Sequence, residues 1–173
     1  MTIIGIDGST TCTGYSVFNN TSLIDYGAVR PIGDNWRDRL VDEGAQIRHI
    51  LEKYNPDVIY MENVPLFGKQ METLVILGAV QGFMIGIASS MKIPINFLMP
   101  SQWRAIVGVY NGTKNGMTKD ALKKAAVDKA NNLFNLQLSW VKPKSKKNDD
   151  DIAEAILIAY SQIKDGELSL IHI

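Results

Sequence analysis

The chain has 173 residues, of which 46% are hydrophobic and 21% are charged, and its 18 basic and 18 acidic side chains give a formal net charge of zero. These values are typical of a soluble globular protein, exclude a disordered chain or a coiled coil, and predict a single domain over residues 1–173. The single Cys12 excludes an internal disulfide, and the chain opens without the pattern of a secretion signal, so we expect a cytoplasmic protein.

The first third of the chain predicts three strands and one helix. Alternating or β-branched runs mark strands at residues 2–7, 14–18 and 23–29, and their close succession predicts an antiparallel meander. A helix with one apolar face is predicted from about residue 36 to residue 53.

The rest of the chain predicts two more strands and four helices. An unbroken apolar run at 58–61 is expected of a strand covered on both faces, and a short strand passes through residues 95–98. The order of elements predicts an α/β fold, a five-stranded mixed sheet with helices on both faces. The predicted helices span residues 70–91, 101–107, 118–134 with Thr118 as the cap, and 148–160.

The segment 74–89 is nearly free of charge and has to be tested as a membrane span. It is shorter than the roughly 18 to 20 apolar residues that cross a bilayer, and it contains Gln81 and three glycines. We therefore interpret it as part of a buried helix.

The net charge of zero conceals an uneven distribution. Residues 1–90 carry six basic and ten acidic side chains, whereas residues 104–147 carry ten basic side chains against Asp120 and Asp128. A positive stretch of this kind suggests an anionic partner, with nucleic acid as the first candidate. The alternative is a lysine-rich surface that contacts only water.

Acidic residues stand where two buried strands end. Asp7 closes the first strand and Glu62 closes the fourth, and a buried carboxylate without a compensating cation or donor is costly. On the last helix, Asp151 and Glu154 are three residues apart, and Asp150 and Glu154 are four apart, so either pair shares a helix face. If these carboxylates converge, divalent cations would offset their repulsion, and Mg²⁺ suits such oxygen ligands.

Each acidic residue also has a local explanation. Asp7 could form a turn with Ser9 or Thr10, and Glu62 could pair with a lysine. The aspartates at 149–151 could lie in the first turn of a helix, where negative charge is favourable. These explanations leave the position of two carboxylates at strand ends unexplained.

Six motifs, taken in order along the chain, resemble one family. They are "IIGIDGSTTCTGYSV", "VIYMENV", "LGAVQG", "MPSQWR", "MTKDALKKA" and "DIAEAILIA". Together they are similar to the RuvC-type Holliday junction resolvases, above all to their phage-borne members. The resemblance implies a ribonuclease H-like fold, in which the first strand lies beside the fourth and the last helix crosses both.

The resemblance implies a metal-dependent endonuclease that cleaves Holliday junctions and other branched DNA by two-metal phosphodiester hydrolysis. The usual Asp-Pro-Gly-Ser turn reads Asp-Gly-Ser-Thr here, and the usual final aspartate is a glutamate. Two Mg²⁺ ions, for which Mn²⁺ could substitute, are expected in each active site. The implied metal ligands are Asp7, Glu62, Asp151 and Glu154, with Asp150 as the alternative on the last helix.

The resemblance also implies how the chain meets DNA. Arg104 and Lys119 fall where the family stabilises charge at the scissile phosphate and are expected to be catalytic, although ordinary surface positions are the alternative. Phe67 matches a loop aromatic that stacks on unpaired bases at a branch point, with a core phenylalanine as the alternative. Further basic residues expected to contact DNA are Lys69, Lys114, Lys123, Lys124, Lys142, Lys144, Lys146 and Lys147.

Paired cuts across a four-way junction imply a homodimer with two-fold symmetry. The helix at 70–91 is the candidate interface because Gly78 and Gly82 would permit close approach of a second helix, and a fully internal helix is the alternative.

Two other functions remain open. The first motif is also similar to the phosphate loop of the actin and sugar-kinase superfamily, whose members need a second lobe that 173 residues do not supply. A branched-DNA-binding protein without catalysis is the second alternative, and the presence of all the acidic positions speaks against it.

Overall fold

Five strands and five helices make up the fold in the computed structural model, which describes residues 1–64, 70–109 and 118–170. The strands are β1 (Thr2–Asp7), β2 (Thr13–Asn19), β3 (Ser22–Val29), β4 (Val58–Glu62) and β5 (Ile95–Leu98). The helices are α1 (Trp36–Tyr54), α2 (Met71–Ser90), α3 (Pro100–Val107), α4 (Lys119–Phe134) and α5 (Asp150–Leu170). Every predicted element is present, and Thr118 caps α4 by accepting a hydrogen bond from the backbone of Ala121.

One boundary is wrong by ten residues, because α5 was predicted to end at residue 160 and instead ends at residue 170. Two residues in the polar run that follows Tyr160 contact the rest of the fold. Ile163 packs against the core, and the ammonium of Lys164 donates to the carbonyl oxygen of Ile106 at 2.9 Å. These contacts extend the helix beyond the point where its apolar pattern weakens.

The sheet has the strand order β3-β2-β1-β4-β5. The first three strands form the predicted antiparallel meander, whereas β4 runs parallel to β1 and β5 runs parallel to β4. Ile6 pairs with Met61, so the next residue of each strand, Asp7 and Glu62, emerges at the same edge. The predicted adjacency of the first and fourth strands is therefore confirmed.

Helices cover both faces of the sheet, as predicted. On one face Ile4 and Ile6 of β1 pack with residues of α1 and α2, and on the other face Ile3 packs with α3, α4 and α5. Alternate residues of a strand point to opposite faces, so β1 contributes to both cores.

Helix α5 lies directly on β1 and β2 because glycines leave room for its backbone. A Cβ atom added to Gly5 would lie 2.2 Å from the carbonyl oxygen of Ala155, and one added to Gly14 would lie 1.9 Å from that of Asp151. Ser16 donates from its hydroxyl to the Ala155 carbonyl at 2.9 Å. This close approach places the first turns of α5 beside the end of β1.

The interpretation of α2 as a buried helix is wrong for one of its faces. Val80, Met84, Ile87 and Ala88 are buried, but Met71, Val75 and Ile85 are 76%, 57% and 44% exposed. The helix packs on the sheet and on α1 through a single face because no described element covers the other. By length and hydropathy alone α2 could cross a membrane, with 22% of its most apolar window buried.

Candidate active site

The carboxylates predicted to converge do lie together. Asp7 and Glu62 come from the adjacent ends of β1 and β4, and α5 presents its acidic residues from its first turns. Asp7, Glu62, Asp151 and Glu154 line one cavity of about 550 Å³.

Helix α3 supplies two side chains that hold Glu62. The indole of the fully buried Trp103 donates to the Glu62 carboxylate at 2.8 Å. The guanidinium of Arg104 lies 3.5 Å from the same oxygen and donates to Glu154 at 2.6 Å. Arg104 therefore joins the end of β4 to α5.

Helix α4 supplies a second cation to the cluster. The ammonium of Lys123 donates to Asp150, lies 3.4 Å from an oxygen of Asp151, and lies 3.8 Å from an oxygen of Glu154. Burial lowers the pKa of Lys123, but the charge of Glu154, the hydrogen bond to Asp150 and the charges of the two aspartates raise it further. The ammonium therefore stays charged inside the cluster.

This arrangement disfavours the ionised form of Asp7. Burial, followed by the negative charges of Glu154, Glu62 and Asp151, raises the pKa of Asp7 well above its ordinary value, and the charge of Lys123 only partly opposes the increase. An additional positive charge beside Asp7 would therefore stabilise its ionised form.

The chemistry of these ligands fits a divalent cation. All the converging donors are carboxylate oxygens, which Mg²⁺ prefers, and the charges of Glu154, Glu62 and Asp151 add to burial in raising the pKa of Asp7. Among the described residues, no three acidic, histidine or cysteine side chains surround a common point at ligand distance. The carboxylates of Glu62 and Glu154 instead contact the Arg104 guanidinium, and that of Asp150 contacts the Lys123 ammonium.

A second cavity, of about 610 Å³, lies against the first. Both are lined by Lys119, Lys123, Cys12 and Asp151, so they form one continuous depression at the end of the sheet. The side chains that line the second cavity alone include Arg30, Trp140, Lys144 and Lys146.

The predicted DNA-binding residues are in different surroundings. Lys119, Lys123, Lys144 and Lys146 line the depression, whereas Lys124 forms an exposed ion pair with Asp128 on its own helix. Lys142 and Lys147 are exposed in the segment before α5. Phe67, Lys69 and Lys114 lie outside the residues that the structure describes.

Sequence reasoning missed three side chains at this site. Trp103 directly precedes Arg104 in the motif "PSQWR", and that position was the available signal. Arg30 and Trp140 carry no sequence signal, because the fold alone brings them to the depression. Cys12 offers no reactive thiolate, since burial and then the charge of Asp151 raise its pKa to about 12.

Comparisons with known proteins agree with one another. The family model described as crossover junction endodeoxyribonuclease RuvC matches residues 3–161. A protein of that description from Dictyoglomus turgidum is 32% identical over 172 residues, which cover 94% of this chain and 96% of the relative. One from Dictyoglomus thermophilum is 30% identical over 173 residues, with the same two coverages. These relatives are bacterial, so a phage origin stays a prediction.

Solved structures share the fold. Thermus thermophilus RuvC in complex with a Holliday junction substrate has a TM-score of 0.73 and 17% identity, covering 97% of this chain and 96% of that one. The fowlpox virus resolvase in complex with Holliday junction DNA has a TM-score of 0.58 and 19% identity, covering 95% and 98%. The predicted ribonuclease H-like architecture is thereby confirmed.

Proposed function

The chain belongs to the family of crossover junction endodeoxyribonucleases RuvC, and from this premise we propose that it cleaves Holliday junctions and other branched DNA as a metal-dependent endonuclease. The observation that supports the proposal most directly is the meeting of Asp7, Glu62, Asp151 and Glu154 at one cavity. The family match speaks against the ATP-binding alternative. We take residues 1–173 as one nuclease domain that acts in the cytoplasm of a bacterium.

Hydrolysis by this site would use divalent cations, for which we propose two Mg²⁺ ions, with Mn²⁺ able to substitute. When bound, such ions supply Lewis acidity that activates water and stabilises the departing 3′ oxygen. The proposed ligands are Asp7, Glu62, Asp151 and Glu154, with Asp150 as a further oxygen donor.

The chain's own cations have two tasks in this proposal. Arg104 and Lys123 hold the carboxylates together, which limits their mutual repulsion before cations bind. Arg104 and Lys119 lie at the wall of the cavity, where their charges would stabilise the negative charge that develops on the scissile phosphate. Trp103 fixes the orientation of Glu62 by its hydrogen bond.

The second cavity is the proposed path of the DNA strand beside the cut. Lysine and arginine side chains there would contact phosphates without reading sequence, and Trp140 offers an apolar wall to the sugar or base. Outside the cavities, Lys142 and Lys147 would add charge along the same surface, whereas Lys124 is already paired with Asp128. The basic side chains of this path are Arg30, Lys119, Lys144 and Lys146, together with Lys123, which is paired with the acidic residues of α5.

Incubation with labelled four-way, three-way and linear duplex DNA, with and without Mg²⁺, tests the proposed activity. We expect the two branched substrates to be cut when Mg²⁺ is present, and the linear duplex to stay intact. ATP hydrolysis without DNA cleavage would favour the kinase alternative. Binding of junctions without any cleavage would favour a DNA-binding protein that lacks catalysis.

The exposed face of α2 supports a homodimer. Six of its exposed positions follow one another at spacings of four and three residues, which is the pattern of a helix that packs along a second helix. Gly78 and Gly82 have open space where a Cβ atom would be, so they permit a close approach. We propose that α2 meets its counterpart in a second copy around a two-fold axis. These six positions are Met71, Val75, Gly78, Gly82, Ile85 and Ser89, and the other exposed residues of α2 are Glu72, Thr73, Gly86 and Ser90.

Placing charge on this face is expected to yield monomers. In a Val75→Glu, Ile85→Glu double variant, two carboxylates would be buried against their symmetry mates, and sedimentation velocity should show one chain per particle where the wild type shows two. The variant should nick junctions without the coordinated second cut. Val41→Glu, on the exposed face of α1 at 67% exposure, is the matched control and should remain dimeric. A wild-type monomer at working concentration would contradict the proposed interface.

A further inference from the structure

One buried acidic residue lies outside the carboxylate cluster. Glu43 of α1 has 0% of its surface exposed, and one of its oxygens lies 2.5 Å from the hydroxyl of Thr13. Its other oxygen has no hydrogen-bond partner, and no lysine or arginine pairs with it, within the part of the chain that the structure describes. An ionised carboxylate is very unfavourable in such surroundings.

The hydrogen bonds of Thr13 indicate whether the carboxyl group of Glu43 is protonated or ionised. The Thr13 hydroxyl oxygen receives the backbone N–H of Ser9 at 2.9 Å and lies 2.8 Å from the carbonyl oxygen of the same residue. A hydroxyl has one hydrogen, so it cannot donate to the Ser9 carbonyl and to an ionised Glu43 together. A protonated Glu43 donates its own hydrogen to Thr13, and all three contacts are then satisfied.

We infer that Glu43 is a positioning residue that acts as a neutral carboxylic acid, donating its hydrogen to Thr13 and thereby holding the turn between β1 and β2 beneath Asp7. Its effect on cleavage rests on the proposed function, because only that function gives Asp7 a catalytic task. The protonation of Glu43 does not depend on it.

The turn connects this hydrogen bond to the active site. Thr13 binds Ser9 through both the N–H and the carbonyl, and Ser9 follows Asp7 by two residues. The next residue after Thr13 is Gly14, which pairs with Asp7 in the sheet and lies against the backbone of Asp151. Displacement of Thr13 would therefore also move Asp7 and Asp151, two of the proposed metal ligands.

Burial is the main cause that keeps Glu43 protonated. Burial raises the pKa of Glu43 to about 7; a Thr13 hydroxyl that donated to the carboxylate would oppose this shift, but its hydrogen is directed to the Ser9 carbonyl. On its own helix, Arg39 donates to the Thr10 carbonyl and Asp42 accepts from the Ile32 N–H, so both are engaged elsewhere. Other titratable groups on elements packed around α1 and the turn are Glu72 on α2, Cys12 in the turn, Asp7 on β1, Tyr15 on β2, and Asp25 and Tyr26 on β3.

The sign of the pH dependence follows from the direction of this shift. The unfolded chain loses the Glu43 proton near the ordinary value of about 4.5, whereas the folded protein keeps it up to about pH 7. Between these values the folded state binds more protons, so the contribution of Glu43 to stability is full below about pH 4.5 and falls as pH rises toward 7. A glutamine at this position donates to Thr13 and does not titrate, so it lacks that slope.

A comparison of the 173-residue chain with its Glu43→Gln variant tests the protonation of Glu43. Urea denaturation of wild type and Glu43→Gln should give a stability difference that shifts in favour of glutamine from about pH 4.5 to about pH 7 and then stays constant. A stability difference that does not vary with pH would overturn the inference that Glu43 is a neutral carboxylic acid, whatever the activity of the enzyme.

Cleavage of a four-way junction tests the positioning. The ratio of kcat for Glu43→Gln to kcat for wild type should rise through pH 7, and Glu43→Met should lower kcat by roughly tenfold or more with KM unchanged. Wild-type kcat in the methionine variant, or a ratio that is constant with pH, would overturn the positioning role. If the wild type cuts no branched DNA, the proposed function fails, while the denaturation series still decides the protonation of Glu43.

Discussion

Glu62→Gln is expected to abolish the cutting of branched DNA while leaving binding intact. The substitution keeps the size of the side chain and one oxygen, but it removes a negative charge from the proposed metal site. Bound cations supply several kcal/mol of transition-state stabilisation, and each 1.36 kcal/mol is a factor of ten in rate, so we expect a loss of roughly 10³-fold. Binding should be unchanged or slightly tighter, because one negative charge near the DNA phosphates is gone.

Single-turnover cleavage of a labelled four-way junction measures the rate, and a gel shift in Ca²⁺ or without metal measures binding. Glu52→Gln is the matched control, since Glu52 is exposed on α1 and its substitution should leave both quantities unchanged. Undiminished cutting by the Glu62 variant would remove this residue from the active site. Lost binding with lost cutting would indicate a structural role instead.

Gly14→Ala is expected to damage both folding and catalysis. The added methyl group would lie 1.9 Å from the carbonyl oxygen and 2.3 Å from the carbonyl carbon of Asp151, so the backbone of α5 has to move. Overpacking of this kind costs about 1–3 kcal/mol and sometimes more. Because the same turn of α5 carries Asp151 and leads to Glu154, the displacement should lower the cleavage rate by about 10²-fold.

Urea denaturation and the same cleavage assay measure these two effects. Gly166→Ala provides the control on the same helix, because nothing lies within 4 Å of its added methyl group and alanine favours a helix over glycine by about 1 kcal/mol. That variant should be at least as stable as the wild type and fully active. Full activity in Gly14→Ala would show that the position of α5 does not set the geometry of the site.

Local sequence patterns were sufficient for most of the fold. Apolar patterns predicted all ten elements: burial of one face imposes a period of two on strands and near 3.6 on helices, and burial on both faces gives an unbroken apolar run such as residues 58–61. The positions of Asp7 and Glu62 at strand ends followed from the same patterns. Where the pattern weakened, as after Tyr160, the predicted boundary was wrong, since α5 continues through Lys164, which contacts the distant carbonyl of Ile106.

The acidic cluster was only partly predictable. The sequence indicated which carboxylates converge, and the structure brings them to one cavity. It did not indicate that Trp103 orients Glu62 or that Lys123 lies among the acidic residues of α5, because those contacts join side chains 41 and about 30 residues apart. Phe67, Lys69 and Lys114 lie outside the described residues, and their roles stay predictions.

The sequence by itself determined the elements, their order and the acidic residues that end two buried strands, because these features depend on neighbours a few residues away. Only the tertiary structure decided that α5 lies on Gly5 and Gly14, that one face of α2 stays exposed, and that Glu43 is buried and hydrogen-bonded to Thr13. Each of these depends on how closely two distant backbones or side chains approach. Packing of the whole chain sets that distance, and no local pattern of residue types encodes it.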